Sequence, residues 1–129
     1  MINPERIYVV IAAYNEGQVI AGNIANLRNI ISNIVVVDDC SSDDTSNQAM
    51  QAKAHVLRHP INLGQGAALQ TGIEFALAQG AEYIVTFDAD GQHQPNEILP
   101  MVEALVHRSL LGVGFSAAPS ICPASAAFY

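Results

Sequence analysis

The chain has 129 residues, half of them hydrophobic, with 12 Asp and Glu against 5 Lys and Arg and a formal net charge of -7. That length suffices for one modest domain with a single core, and the hydrophobic content predicts a packed structure rather than disorder. The acidic balance argues against nucleic-acid binding, which needs a basic stripe to track phosphates, and against electrostatic docking to anionic lipid.

Met1 to Arg6 has no basic n-region and no long apolar stretch before a cleavage site, so no signal peptide is expected and the expected location is cytoplasmic. Arg6 to Ala13, with Ile7, Val9, Val10 and Ile11, reads as a first strand, and the apolar run is far too short to span a bilayer. Tyr14-Asn15-Glu16-Gly17 breaks it. Val19, Ile20, Ile24, Leu27, Ile30 and Ile31 recur at helical spacing, which predicts an amphipathic helix from Gln18 to Asn29. Ile34 to Val37 is a second buried strand. Ser41-Ser42-Asp43-Asp44-Thr45 supplies N-cap chemistry for a short helix running to Lys53. His55 to Arg58 is a third strand, Asn62-Leu63-Gly64-Gln65-Gly66 a turn, and Ala67 to Gln79 a helix with Gly80 as its stop. A fourth strand runs from Glu82 to Phe87. Pro95 opens a further helix, at a position where its missing N–H costs little, and this helix carries on to His107. Ser109 to Tyr129 has no charged residue and no clear period, and Gly112, Gly114, Pro119 and Pro123 interrupt it. It reads as an ill-structured terminus or as sequence foreign to the fold.

Strands alternating with helices, each strand continuously apolar, predict an α/β fold with a mainly parallel sheet covered on both faces. Ligands of such sheets bind outside the carboxyl ends of the strands. Three polar motifs fall at that edge: Tyr14-Asn15-Glu16, Asp38-Asp39, and Asp88-Ala89-Asp90 followed by Gln92 and His93. Two carboxylates at a buried strand end, with an amide two residues on, favour a hard divalent cation. The plainer alternative is an acidic turn that caps the next helix through its dipole. Asp39 is the better placed of its pair to accept hydrogen bonds from a nucleoside, although simple capping also accounts for the pair. Tyr14 and Glu16 read equally well as core and helix-start residues. The glycine-rich Asn62 to Ala68 segment resembles a phosphate-cradling loop. It lacks the Gly-Lys-Ser/Thr of a P-loop and the GxGxxG spacing, so a tight turn permitting close helix packing explains it as well. His55, His59 and His107 occupy unremarkable contexts and read as structural or exposed. Cys40 and Cys122 suggest neither zinc nor a disulfide framework.

Taken together, Ala13-Tyr14-Asn15-Glu16, Val37-Asp38-Asp39-Cys40-Ser41-Ser42-Asp43-Asp44-Thr45, Asn62-Leu63-Gly64-Gln65-Gly66-Ala67-Ala68 and Asp88-Ala89-Asp90-Gly91-Gln92-His93-Gln94-Pro95 resemble family 2 glycosyltransferases, and most closely their dolichyl- or polyprenyl-phosphate sugar synthase branch. The resemblance implies the Rossmann-like GT-A fold over residues 1–108, incomplete at the C-terminus, with 109–129 an atypical tail. It implies a UDP- or GDP-sugar donor held by Ala12, Ala13, Tyr14, Glu16 and Asp39, with Asp88 and Ala89 approaching ribose and diphosphate. Asp88, Asp90 and Gln92 would hold Mg²⁺ or Mn²⁺, Asp88 and Asp90 being the catalytic pair. Transfer would be inverting, onto a membrane-embedded polyprenyl or dolichyl phosphate at the cytoplasmic face, and that acceptor, already an anion, needs no base. Ala12 stands where the family usually has Pro. Cys40 stands where it usually has Gly, which makes a left-handed turn there costlier. Family members also carry an acceptor side after the helix near Pro95, and nothing in Ser109 to Tyr129 matches it. Two alternatives remain at this point: a truncated, inactive nucleotide-binding fragment, and a sugar-phosphate nucleotidyltransferase, which would want a glycine-rich basic loop near the first strand.

Overall fold

The computed structural model describes residues 4–88, 99–100, 102–104 and 121–123. After a short 3₁₀ turn, Pro4–Arg6, the elements are β1 (Ile7–Ala13), α1 (Ile20–Arg28), β2 (Asn33–Asp38), α2 (Thr45–Gln51), β3 (His55–Arg58), α3 (Gln65–Ala78), β4 (Tyr83–Asp88) and β5 (Ile121–Pro123). They form one sheet in the order β3-β2-β1-β4-β5. The first four strands are parallel, and β5 runs antiparallel to β4, with Ile121 opposite Val85. Three residues of the segment expected to be ill-structured thus extend the sheet; the rest of 109–129 lies outside the described residues.

The alternation of side chains along each strand divides the core between the two faces. Ile7, Val9, Ile11 and Ala13 of β1 pack with Ile34 and Val36 of β2 and Val85 and Phe87 of β4 under α1 and α2. Tyr8 and Val10 pack with Val35, Val37 and Ile84 under Ala68, Ile73 and Ala76 of α3. In α1 the buried stripe is Ile20, Ile24 and Leu27, continued by Ile31, whereas Val19 is exposed. Both faces are therefore covered, which is why β1 and β2 are apolar at nearly every position.

Gly72 lets α3 lie close on the sheet, since a Cβ there would meet side-chain carbons of Val10 and Val37. Gly80, at φ 93°, ends α3: its amide bonds Leu77 O and the next amide, Ala81, bonds Ala76 O. Residues 99–100 and 102–104 are helical, inside the span expected to run from Pro95 to His107, and Val102 is buried against the α1 face of the core.

The order places the topological reversal between β1 and β4: β2 and β3 are added on one side of β1, β4 on the other. Open α/β sheets bind ligands at the carboxyl ends of the strands beside such a reversal. Here those ends are set by register, with Ala13 opposite Asp38 and Ala12 opposite Asp88.

Candidate active site

The loop after β1 is tied to the loop after β2 by polar bonds. Asn15 adopts φ 54°, a left-handed conformation that Asn tolerates better than most residues. Its amide donates to Ser41 Oγ at 2.8 Å, and its side-chain Oδ1 accepts from the Ser42 amide at 2.8 Å and the Ser42 hydroxyl at 3.1 Å. The Glu16 amide donates to Thr45 Oγ1 at 3.0 Å and the Gly17 amide to Asp43 Oδ2 at 3.0 Å. Asp43 also accepts from the Thr45 amide at 3.0 Å and from the Thr45 hydroxyl. That hydroxyl bond, aided by the backbone amides of Gly17, Thr45 and Asp43 itself, holds the Asp43 carboxyl below its ordinary value despite some desolvation. Capping of α2 thus comes from Asp43, while Asp44, the residue at the helix boundary, makes no side-chain cap. The expected donor residues Ala12 and Ala13 end β1, Tyr14 is half exposed just beyond them, and Glu16 is half-buried.

Asp38 and Asp39 divide their work. Asp38, fully buried, accepts from the Ser41 amide at 2.9 Å, from the hydroxyls of Ser41 and Ser46, and from Arg58 Nη1 at 2.8 Å. Arg58 Nη2 also donates to Ser41 O at 2.9 Å, so the guanidinium braces the turn on two sides. Cys40, between these groups, sits at φ 65°, the left-handed turn expected to be costly for it. Asp39 Oδ1 lies 2.8 Å from His59 Nδ1 and accepts from the Leu63 amide at 2.9 Å. Oδ2 accepts from the Gly64 amide at 2.8 Å. Burial by itself raises the Asp39 carboxyl, but the two amides and the His59 bond outweigh it and leave it below its ordinary value.

The glycine-rich loop therefore does something different from cradling a phosphate with these two amides. Gly64, at φ 101°, turns the chain into α3 so that its own amide and that of Leu63 grip Asp39. With two donors on Oδ1 and one on Oδ2, the carboxylate keeps acceptor capacity on Oδ2. The sequence context of His59 is unremarkable, and the structure differs. His59 is buried, and its Nε2 lies 2.9 Å from Thr71 Oγ1 on α3. A signal for it was present: Arg58 is in register with Asp38, so whatever follows β3 must emerge at the same edge as Asp39.

The backbone of Asp88 ends β4 beside Ala12. Its side chain, with Ala89, Asp90, Gln92 and His93, lies outside the described residues.

A polar edge at the reversal of a parallel sheet is shared by many enzymes, and comparison with known proteins decides among them. Residues 8–118 match the family model described as glycosyl transferase family 2. The chain belongs to that family. An uncharacterised protein of Methanocaldococcus jannaschii is 44% identical over 106 residues, covering 81% of this chain and 44% of that protein. The UDP-N-acetylglucosamine–dolichyl-phosphate N-acetylglucosaminyltransferase of Methanococcus voltae is 36% identical, covering 80% of this chain and 48% of its own length. The undecaprenyl-phosphate mannosyltransferase of Micrococcus luteus is 34% identical, covering 78% and 44%. This family 2 chain thus spans less than half the length of these relatives. Among solved structures, Mycobacterium tuberculosis glucosyl-3-phosphoglycerate synthase in complex with Mg²⁺ and UDP superposes with a TM-score of 0.65 at 26% identity, covering 78% of this chain and 39% of the other. The GT-A fold expected of this family 2 glycosyltransferase is the fold it has, and the nucleotidyltransferase alternative falls away.

Proposed function

We propose that these residues form the donor-binding part of a glycosyltransferase that moves a sugar from a nucleotide diphosphate to a polyprenyl or dolichyl phosphate. The observation that carries the reading is the meeting of three motifs at one edge: Ala13 opposite Asp38, Ala12 opposite Asp88, and Asp39 gripped by the β3–α3 loop. Ala12, Ala13, Tyr14, Glu16 and Asp39 are assigned to the nucleoside of a UDP- or GDP-sugar, Ala13 by its backbone, since its side chain is buried in the core. Asp88 and Ala89 meet the ribose and diphosphate. Tyr14, half exposed just beyond β1, offers a face against which a base can stack.

The carboxylates of Asp88 and Asp90 and the amide oxygen of Gln92 make a donor set suited to Mg²⁺ or Mn²⁺. Such a cation, when bound, would neutralise the charge developing on a departing diphosphate. The chain's own part is to orient the donor. The rigid latch between the β1 and β2 loops fixes the nucleoside end, so that the sugar-bearing phosphate is carried to the end of β4. Attack on the anomeric carbon by an acceptor phosphate oxygen inverts the configuration and requires no protein base, because the acceptor is already ionised.

The names of the Methanococcus and Micrococcus relatives support a lipid-phosphate acceptor. Among the described residues no helix is long and apolar enough to cross a membrane. The proposed place of work is the cytoplasmic membrane face, reached through the acceptor. Thermal unfolding with UDP- and GDP-linked sugars in Mn²⁺ tests donor binding. A ligand at about 100 times its Kd adds about 2.7 kcal/mol of stability, and a melting temperature unmoved by every nucleotide sugar counts against the proposal.

A further inference from the structure

His59 has no role in the proposed donor site, yet it is 7% exposed and touches Asp39, a carboxylate assigned to the nucleoside. A carboxylate only accepts, and Asp39 is held in its ionised form, so His59 Nδ1 carries a proton and donates it to Asp39 Oδ1. Thr71 Oγ1 lies 2.9 Å from Nε2 and 3.0 Å from Ala67 O. The hydroxyl has one proton, so it either accepts from Nε2–H and donates to Ala67 O, or donates to Nε2. In both arrangements the bond from Nδ1 to Asp39 persists.

The three donors to Asp39 are not equivalent. The Leu63 and Gly64 amides belong to a loop whose apolar side chains Ile61 and Leu63 stand in solvent, 61% and 52% exposed. His59 is clamped at both ends: its own amide donates to Asp38 O at 2.9 Å, fixing it to β2, and its Nε2 is fixed to α3 through Thr71. It is the donor best able to hold the carboxylate at one angle.

We propose that His59 is a positioning residue of the nucleoside pocket, locking Asp39 so that the acceptor capacity left on Oδ2 meets the donor's nucleoside. This rests on the assignment of Asp39 to the nucleoside. Thr71 completes the device by fixing the imidazole plane. Two substitutions separate the roles of the ring nitrogens. In His59→Asn the amide nitrogen is as many bonds from Cα as Nδ1 and can donate to Asp39. In His59→Gln it stands at the place of Nε2 and reaches Thr71 instead.

The test is calorimetric titration of the full chain with UDP and with GDP in Mn²⁺. His59→Gln is expected to bind the preferred nucleotide about tenfold or more weakly, since a bond to a charged group is lost, and His59→Asn to stay within about threefold of the wild type. Equal affinities for the two variants, whether both unchanged or both reduced, overturn the inference, because a merely space-filling histidine does not distinguish them. If either variant fails to fold, Thr71→Val replaces the pair: weakened nucleotide binding at unchanged circular dichroism supports the role, and unchanged binding overturns it. A wild-type chain that binds neither UDP nor GDP refutes the pocket itself, an outcome distinct from any variant result.

Discussion

Replacing Gly72 by Ala tests how tightly α3 is seated on the sheet. The added Cβ would stand 2.3 Å from Val10 Cγ1 and 3.1 Å from Val37 Cγ2. Carbon atoms ordinarily pack at about 3.5–4.0 Å, so more than about 1 Å must be recovered at Val10. Val10 is fully buried in the middle strand of the sheet, and its β-branched side chain has few alternative rotamers. The helix must therefore lift. Overpacking of this kind costs about 1–3 kcal/mol, and a clash this short belongs in the upper half of that range. The better helix propensity of Ala returns about 1 kcal/mol. The expected net loss is about 1–2 kcal/mol, read as a lower urea midpoint at unchanged slope. Thr71 adjoins Gly72, so the lift also draws Thr71 Oγ1 away from His59 Nε2 and weakens nucleotide binding. Adding Val10→Ala opens the needed space, and the double variant should be more stable than the sum of the single losses implies. A Gly72→Ala variant as stable as the wild type refutes this reasoning, since propensity would then exceed the steric cost.

Asp38→Ala removes the acceptor shared by Ser41, Ser46 and Arg58. It should cost about 2–3 kcal/mol in urea unfolding, mostly through the buried hydroxyl and amide donors, because Arg58 is partly exposed and its ion pair is screened; a loss below about 0.5 kcal/mol would contradict the bracing role. Cys40→Gly relieves a left-handed residue at a strain of about 1–2 kcal/mol and gives back about 0.5–1 kcal/mol of unfolded-state entropy, so the urea midpoint should rise slightly; a fall would show that the Cys40 thiol contact with Pro60 O outweighs the strain. Asp39 and Asp43 both lie below the ordinary carboxylate value of 3.8. Their stabilisation is complete above that value and is lost as pH falls through their lower folded-state values. Chemical denaturation at descending pH should show stability declining below about pH 4, with a shallower decline in Asp39→Asn; identical profiles for the two proteins would remove Asp39 from the account.

The four parallel strands were legible because a sheet covered on both faces demands continuous apolar runs, whereas β5 lies in a segment with no such run. His55–Arg58 has the bounds expected, and β1, β2 and β4 differ from expectation by a residue or so at their ends. The three motifs at the carboxyl edge follow from the same alternation. The wiring between them did not, since it is made across 12 or more residues by atoms that sequence patterns do not encode. The amides of Leu63 and Gly64 looked available for a phosphate until their distance to Asp39 was known. His59 is a single histidine in the loop after β3, and its meaning depends on Thr71, nearly two turns into α3. Cys40 went the other way: its departure from Gly pointed to a strained turn, and its φ of 65° is that turn.

The most direct test of the donor-site proposal is calorimetric titration of UDP- and GDP-sugars into the wild-type chain and Asp90→Ala, with and without Mn²⁺. The account predicts Mn²⁺-dependent binding of one nucleotide sugar by the wild type, weakened about tenfold or more in Asp90→Ala. Binding that ignores both Mn²⁺ and the Asp90 substitution, or no binding of any nucleotide sugar by the wild type, would contradict it.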